Sequence, residues 1–174
     1  MKKALAAGAT TLFFFLAPGV VAGLVPWLLS HWTFRSTTWD SPPLRWTGAA
    51  FVAIGLGALI ECFVRFALRG RGTPAPVLPT EVLIVSGLYR FVRNPMYVAV
   101  FLLIVAGQGV LFGSTPILLY AACVWIAFTL FVLLYEEPTL RRRFGQQYSE
   151  YCTHVHRWVP RLRPGKGVQK SALR

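Results

Sequence analysis

The sequence predicts an all-α, polytopic membrane protein with about four transmembrane helices and a C-terminal amphipathic helix at the membrane interface. Hydrophobic residues make up 55% of the 174 residues, and charged residues only 14%. The apolar residues cluster into long runs that short polar stretches separate. A soluble domain of this length would need more polar surface than that. We therefore treat residues 1–174 as a single membrane domain.

The four apolar runs provide the predicted spans, because a crossing helix needs about 20 apolar residues. They cover approximately residues 4–29, 47–68, 96–112 and 116–135. The first run follows two lysines, so a cleaved signal peptide is the alternative, but the run continues well past a signal-peptide core. Pro18 predicts a kink in it. Only residues 113–115 separate the last two runs, which predicts a tight antiparallel hairpin.

The distribution of charge predicts the orientation of these spans. Segment 30–46 carries only two basic residues, whereas segment 69–95 and the C-terminal tail carry most of the others. Because cytoplasmic loops collect Lys and Arg, we place the N-terminus, segment 69–95 and the tail in the cytoplasm. The opposite loop is flanked by an aromatic belt of Trp27, Trp32, Trp39 and Trp46. The Lys-Lys start, without an organelle signal, predicts a multi-pass protein of a bacterial inner membrane.

The net charge of +12 does not indicate a nucleic-acid partner. The basic residues lie where loops face anionic lipid headgroups, and no nucleic-acid fold signature is present. The three cysteines show no CxxC or Cys/His ligand spacing, so we predict neither a disulfide framework nor a metal site. We interpret them as small buried hydrophobes.

The second predicted span carries two features that could serve packing or chemistry. Ala49, Ala53 and Gly57 recur every four residues, a stripe that lets another helix approach closely. Intramolecular packing is the first interpretation, and a homodimer through this span is the alternative. Glu61 and Arg65 lie one turn apart and predict a local ion pair, although an acid inside a membrane is a functional candidate by default.

A polar cluster lies at the entry to the third span. Residues 86–97 combine a glycine, two arginines, an asparagine, a proline and two tyrosines. Pro95 suits the first turn of a helix, because the N–H group it lacks would have no intrahelical partner there. Asn94 then occupies the N-cap position. A capped helix with snorkelling Arg90 and Arg93 is the structural alternative.

Two adjacent carboxylates, Glu136 and Glu137, follow the fourth span. Carboxylates beside a long apolar helix are costly unless a cation neutralises them. A local partner is available, because Arg141 lies four residues after Glu137. Pro138 complicates that pairing, since a proline disfavours helical backbone at the preceding residue.

An amphipathic segment follows Pro138. Phe144, Tyr148 and Tyr151 recur at i, i+4 and i+7 and form an aromatic stripe on one helix face. Charged residues occupy much of the remaining surface. This pattern predicts an interfacial helix on the bilayer, whose aromatic stripe could also cover a ligand.

These segments resemble the isoprenylcysteine carboxyl methyltransferases. Residues 87–97, GLYRFVRNPMY, are similar to the G-x-Y-x-x-x-R-H-P-x-Y motif of that family. Glu136-Glu137 with residues 144–151, FGQQYSEY, resemble its E-E…F-G-x-x-Y-x-x-Y ending, and Trp158-Val159-Pro160 its closing aromatic-Pro segment. Related phospholipid methyltransferases share the layout. The resemblance defines a methyltransferase-like core at 82–160, preceded by two spans and loops at 1–80 and followed by a basic tail at 161–174.

The resemblance implies methyl transfer from S-adenosylmethionine at the cytoplasmic membrane face. The carboxylate pair would balance the cofactor's positive charge, the tyrosines would suit its adenine, and an Arg or the helix N-terminus near Asn94 would suit its carboxylate. The candidate cofactor-binding residues are Gly87, Tyr89, Arg90, Asn94, Pro95, Tyr97, Gln108, Glu136, Glu137, Tyr148 and Tyr151. The candidate catalytic residues are Arg93, Asn94 and Tyr97. Asn94 occupies the family's histidine position and cannot titrate near neutral pH.

The expected partners are membrane lipids and a lipophilic or amphipathic methyl acceptor, either a carboxylate or a lipid headgroup. Two other classes stay open. A sterol-reductase-like oxidoreductase has a similar C-terminal layout but binds NADPH, whose extra phosphate the acidic pair would repel. A non-enzymatic membrane accessory protein would bind no cofactor.

Overall fold

A computed structural model of the chain describes residues 18–37, 41–69 and 83–162. Regular structure in these ranges is helical, without a strand, as the sequence predicted. Helix α1 covers Gly19–Ser30, with π-helical geometry over Gly19–Leu24. Helix α2 covers Pro42–Arg69, and a 3₁₀ turn covers Gly87–Arg90. Helix α3 covers Pro95–Gly109, α4 covers Thr115–Phe131 and α5 covers Glu137–His154.

The described chain divides into two compact units, which we call the first and the second unit. The first unit contains residues 60–69, 83–95 and 130–162. It therefore holds both motif segments singled out in the sequence, apart from the last two residues of 87–97. The second unit contains residues 18–37, 41–59 and 96–129.

Within the part of the chain that the structure describes, two helical stretches are long and apolar enough to cross a membrane, Pro42–Arg65 and Thr115–His154. Only 28% and 17% of their most apolar windows are buried inside the protein. A core helix of a soluble protein would bury most of such a window, so these surfaces fit contact with lipid. Gly19–Ser30 and Pro95–Gly109 are shorter apolar helices. The four-span count remains a prediction, and the start of the first run, at 4–17, lies outside the described residues.

The hairpin between the third and fourth apolar runs is tight, as predicted. Ser114 donates its backbone N–H to the carbonyl of Gly109 at 2.9 Å. Gly113 has a φ of 62°, and a β-carbon there would lie 2.6 Å from the carbonyl oxygen of Arg35. Both facts require glycine at this turn.

Helix α2 packs within the second unit on a different face from the one the sequence indicated. A β-carbon at Gly48 would lie 2.8 Å from the backbone nitrogen of Leu111, and Val52 contacts Gly107. Ala53 and Gly57 are exposed instead. The predicted stripe was therefore wrong in register, because Gly48, not Ala49, allows the close backbone approach. Homodimerisation stays a prediction.

The helix also continues through Pro138, where the sequence suggested a break. A π-helical turn over Val132–Glu136 leads directly into α5, and Glu137 has helical φ and ψ of −61° and −44°. Pro138 lies just after the π-helical turn, so the N–H that it lacks falls where the regular α-helical hydrogen-bond pattern is already interrupted. The backbone instead departs from helical geometry at Gly145, with φ 50° and ψ −122°.

Candidate functional site

An apolar cluster holds the entry segment of the motif against helix α5 in the first unit. Leu83 and Val85, which precede the 3₁₀ turn, are buried with Tyr148, Tyr151 and Val155. Phe144 packs against the same cluster. The aromatic stripe predicted from i, i+4 and i+7 spacing therefore covers protein residues. This packing brings residues 86–94 alongside the first turns and the end of α5.

Gly87 is required by both its backbone and its neighbours. Its φ is 63°, a conformation that L side chains rarely adopt. A β-carbon there would also overlap the guanidinium of Arg65, which forms the predicted ion pair with Glu61. Arg65 further donates from Nη1 to Oγ of Ser86 at 3.4 Å. These contacts give Gly87 a structural role beside the Glu61–Arg65 pair.

Glu137 is the centre of a buried charge cluster. Its side chain accepts hydrogen bonds from Arg157, Nε to Oε1 at 2.6 Å and Nη2 to Oε2 at 3.0 Å. Nη1 of Arg93 lies 3.2 Å from Oε1. Burial opposes ionisation, but the hydrogen bond from Arg157 and the charges of Arg93, Arg157 and Arg141 outweigh it and lower the pKa of Glu137. Arg141, the partner predicted from helical spacing, thus affects the pKa of Glu137 through its charge. The ion pairs of Glu137 are formed by Arg93 and Arg157, which lie outside helix α5.

Arg93 connects this charge cluster to the thiol of Cys152. Its Nη1 donates to Sγ of Cys152 at 2.8 Å as well as facing Glu137. Cys152 therefore has a polar role, and Cys123 is exposed, so only Cys62 of the three cysteines is the buried hydrophobe expected. Nε of Arg93 is buried and has no hydrogen-bond partner within the described residues. A buried donor without a partner is costly, which makes Arg93 a candidate contact for an anionic or carbonyl group of a ligand.

The segment after α5 is fixed along the motif by a short series of hydrogen bonds. The backbone N–H of Arg93 donates to the carbonyl of His156 at 2.9 Å, and that of Arg161 to the carbonyl of Phe91 at 2.9 Å. Asn94 directly precedes α3, as predicted, and its side-chain Nδ2 donates to the carbonyl of Arg157 at 3.2 Å. Sequence reasoning missed Arg157, although its position next to the Trp158-Val159-Pro160 segment was an available signal.

A cavity of about 70 Å³ lies beside this charge cluster, entirely within the first unit. Its lining contains the following predicted site residues: Tyr89, Arg93, Asn94, Glu136, Tyr148 and Tyr151. Apolar walls come from Leu83, Ile84 and Leu140. The other predicted residues of this unit, Gly87, Arg90, Pro95 and Glu137, lie outside that lining. Glu136 thus lines the cavity, whereas Glu137 does not, although it contacts the lining residue Arg93.

The three tyrosines of the cavity are buried and held neutral. The hydroxyl of Tyr151 donates to the backbone carbonyl of Tyr89 at 2.6 Å. The rings of Tyr148 and Tyr151 are 6.2 Å apart at 54°. Burial is the main cause that raises the pKa of Tyr89, Tyr148 and Tyr151 above its usual value. These side chains offer aromatic surface to a ligand and do not act as bases near neutral pH.

Two predicted site residues belong to the second unit. The ring of Tyr97 packs against Phe128, with centroids 4.8 Å apart. Gln108 is buried, donates from Nε2 to the carbonyl of Ala22, and accepts from Nε1 of Trp32 at 3.0 Å. The side-chain amide of Gln108 therefore satisfies backbone and indole groups of its own unit.

Comparison with known proteins agrees with the motifs around this site. The probable protein-S-isoprenylcysteine O-methyltransferase of Oryza sativa subsp. indica is 33% identical over 78 residues, covering 45% of this chain and 40% of the relative. Protein-S-isoprenylcysteine O-methyltransferase A of Arabidopsis thaliana is 35% identical over 78 residues, covering 45% of this chain and 39% of the relative. The chain thus spans about two fifths of the length of these relatives. Residues 44–147, more than half of the chain, match the phospholipid methyltransferase family, and the protein belongs to that family.

Proposed function

We propose that this protein is an integral-membrane methyltransferase that uses S-adenosylmethionine and acts on a lipophilic or amphipathic acceptor at the cytoplasmic membrane face. One observation supports this most strongly. Both motif segments contribute to one cavity, whose lining includes Glu136, Arg93 and the tyrosines Tyr89, Tyr148 and Tyr151. The buried Nε of Arg93 has no hydrogen-bond partner in the part of the chain that the structure describes. Family membership and the relatives agree with this chemistry.

The lining residues fit the chemical groups of S-adenosylmethionine. Glu136 would balance its positive charge, and the buried Nε of Arg93 would bind its carboxylate. Tyr148 and Tyr151 would contact the flat adenine. The volume of about 70 Å³ is smaller than the roughly 300–1,000 Å³ of typical small-molecule pockets. Binding therefore requires the lining side chains to move apart, and this movement is part of the proposal.

The two adjacent glutamates take different roles in this proposal. Both oxygens of Glu137 are engaged by Arg157, and one of them also by Arg93. Glu137 therefore holds Arg93 in place at the cavity wall, and Glu136, because it lines the cavity, is the carboxylate proposed to contact the ligand. The negative charge of Glu136 disfavours a cofactor with additional phosphates, such as NADPH.

The chemistry of the lining favours an acceptor that needs no deprotonation. The cofactor, when bound, supplies an electrophilic methyl group. Asn94 replaces the imidazole of the family motif and cannot take up a proton, and the tyrosines stay protonated. The remaining carboxylate of the lining, Glu136, is assigned in this proposal to the positive charge of the cofactor. An ionised carboxylate is already nucleophilic, so the residues of this site would align the acceptor and exclude water. A carboxylate or an already deprotonated lipid headgroup is therefore the proposed acceptor.

Calorimetric titration of the purified protein in detergent tests the choice of cofactor. We expect S-adenosylmethionine to bind and NADPH to bind more weakly or not at all. We attribute this preference to the negative charge of Glu136. Glu136→Gln should therefore reduce the difference in affinity between S-adenosylmethionine and NADPH. Preferential binding of NADPH by the unmodified protein would support the oxidoreductase instead. Binding of neither cofactor would support an accessory protein.

A further inference from the structure

Helix α5 carries three consecutive exposed arginines, Arg141, Arg142 and Arg143, that the proposed methyl transfer does not use. The sequence indicated that this helix would contact the bilayer through its aromatic stripe. In the structure, Tyr148 and Tyr151 of that stripe are buried in the apolar cluster of the first unit. The contact of α5 with lipid therefore has to come from a different surface, and the arginines are the charged part of what remains exposed.

The guanidinium groups at 141–143 form no hydrogen bond or ion pair with the residues that the structure describes. The nearby carboxylate of Glu137 is already occupied by Arg93 and Arg157. Arg141 affects Glu137 through its charge alone. Three adjacent positive charges without an acidic partner create a local positive potential, which attracts an anionic surface.

The arginines follow closely after a lipid-compatible apolar surface. The stretch Thr115–His154 is long and apolar enough to cross a membrane, and its last exposed apolar residues are Leu133, Leu134 and Tyr135, at 39%, 75% and 48% exposure. Arg141 follows Tyr135 by six positions, or roughly 9 Å of helix. The headgroup regions add roughly 10–15 Å to the hydrocarbon core, shared between the two sides. Long arginine side chains can therefore place their charges at headgroup level.

The kink at Gly145 separates the arginines from the rest of α5. The backbone departs from helical geometry there, with φ 50° and ψ −122°, so residues 137–144 form the regular segment that continues from the π-helical turn. At the end of this segment, Cζ of Arg143 lies 5.8 Å from the centroid of the Phe144 ring, in a cation–π contact. Phe144 packs against the apolar cluster, so this contact connects the basic surface to the packed one.

We propose that α5 binds the anionic headgroups of the surrounding bilayer through Arg141, Arg142 and Arg143. The partner is lipid because the exposed apolar residues just before the arginines already require a hydrocarbon environment. The planar guanidinium groups match the phosphate oxygens of a headgroup. Leu140, next to Arg141, lines the cavity of the first unit, so this contact keeps that cavity at the lipid surface. The interaction does not depend on the proposed methyl transfer.

Electron paramagnetic resonance of spin-labelled lipids tests this proposal on the protein reconstituted into phosphatidylcholine vesicles. The measurement compares how much spin-labelled phosphatidylglycerol and spin-labelled phosphatidylcholine the protein immobilises. The parent should prefer phosphatidylglycerol, and 1 M NaCl should weaken the preference, because it shortens the screening length to about 3 Å. The variant Arg141→Gln/Arg142→Gln/Arg143→Gln should lower the preference about fivefold. That is the contribution of one basic residue near an anionic surface, and the measurement averages over all lipids around the protein.

The matched control removes the same charge from the C-terminal tail, by Arg163→Gln/Lys166→Gln/Lys170→Gln, and should keep most of the preference. Circular dichroism establishes that each variant is folded. If the triple variant in α5 is poorly folded, Arg142→Gln decides the question and should also lower the preference. Three results would overturn the proposal: no preference in the parent, an equal loss in the tail control, or parental preference in the well-folded α5 variant. Each would leave the arginines to water or to an acidic protein.

Discussion

Arg157 holds Glu137 through two parallel hydrogen bonds, Nε to Oε1 at 2.6 Å and Nη2 to Oε2 at 3.0 Å, across 20 residues of chain. The carboxylate is buried, with 6% of Glu137 exposed, whereas Arg157 is partly exposed. A bidentate pair of this kind fixes the geometry of both partners. Glu137 also forms an ion pair with Arg93, which lines the cavity. The Arg157–Glu137 pair therefore fixes the position of a lining residue, although neither of its members lines the cavity.

Replacement of Arg157 should destabilise the first unit. Arg157→Gln should lower the free energy of unfolding by about 1.5–3 kcal/mol, the usual contribution of a hydrogen bond to a charged group. Arg157→Lys should lower the free energy of unfolding by a smaller amount, because lysine keeps the positive charge although it lacks the planar guanidinium group. Unfolding in detergent, followed by circular dichroism, measures this, and the exposed Arg142→Gln serves as control. Equal stability of Arg157→Gln and Arg142→Gln would contradict the buried pair.

Acid should weaken the same cluster. The pKa of Glu137 lies below its usual value of 4.5 in the folded protein, because Arg157 and Arg93 favour the charged form over the opposing effect of burial. The folded state therefore binds this proton less readily than the unfolded state. The stabilisation is complete above pH 4.5 and is lost as the pH falls through the folded pKa. Melting temperatures from pH 7 to pH 3 should fall more steeply for the parent than for Glu137→Gln. Parallel curves would count against this assignment.

Three glycines should respond differently to alanine. Gly87→Ala should be severely destabilising, since its φ is 63° and the new methyl would overlap Arg65. Gly145→Ala should cost about 1–3 kcal/mol, because its φ of 50° and ψ of −122° lie in a region that side-chain-bearing residues rarely adopt, although the space around it is open. Gly57→Ala, in a helix with no atom within 4 Å of the new methyl, should be neutral or stabilising. Chemical denaturation of the three variants gives the ranking, and a Gly145 variant at least as damaging as Gly87→Ala would contradict it.

Local features of this fold were predictable from the sequence, and tertiary ones were not. Periodicity and turn chemistry located the apolar helices, the Gly113 turn, the helix start at Pro95 and the Glu61–Arg65 pair. Helical spacing offered Arg141 as the partner of Glu137, because spacing describes neighbours on one helix only. The actual partners, Arg93 and Arg157, come from segments before α3 and after α5. Their pairing depends on the tertiary packing of the first unit.

The same distinction applies to the candidate site. The motifs identified six residues that line one cavity: Tyr89, Arg93, Asn94, Glu136, Tyr148 and Tyr151. The motifs did not predict which of Glu136 and Glu137 lines the cavity, because two adjacent identical residues give no information about where each side chain lies in the fold. The register of the small-residue stripe in α2 failed for a similar reason, since Gly48 and Ala49 are both small and only the packed partner distinguishes them.

Reporter fusions test the predicted orientation of the spans. The charge distribution places a fusion after residue 38 outside the cytoplasm and fusions after residues 78 and 170 inside it. An alkaline phosphatase and fluorescent protein pair reports these two locations. The control is a matched set in which the arginines at 141–143 are replaced by glutamine, which should weaken the bias. A cytoplasmic signal after residue 38 would contradict the four-span topology.

Single substitutions at the acidic pair should separate a ligand-facing carboxylate from a structural one. Glu136→Gln keeps the size of the side chain and removes the charge that lines the cavity, so S-adenosylmethionine affinity should fall about ten- to a hundredfold, with the fold intact. Glu137→Gln removes the anion that Arg93 and Arg157 share, so its main effect should be a loss of stability. Its affinity for S-adenosylmethionine should fall only to the extent that Arg93 is displaced from the cavity wall. Isothermal titration calorimetry and thermal unfolding measure the two effects separately.

The control for this pair is Glu150→Gln, an exposed acid on the same helix, which should leave both affinity and stability unchanged. Circular dichroism establishes that each variant is folded before its affinity is compared. A well-folded Glu136→Gln/Glu137→Gln protein that binds S-adenosylmethionine like the parent would rule out a cofactor role for both carboxylates. Loss of affinity confined to Glu137→Gln would reverse the two roles, because the ligand would then depend on the cluster that positions Arg93 and not on the charge of Glu136.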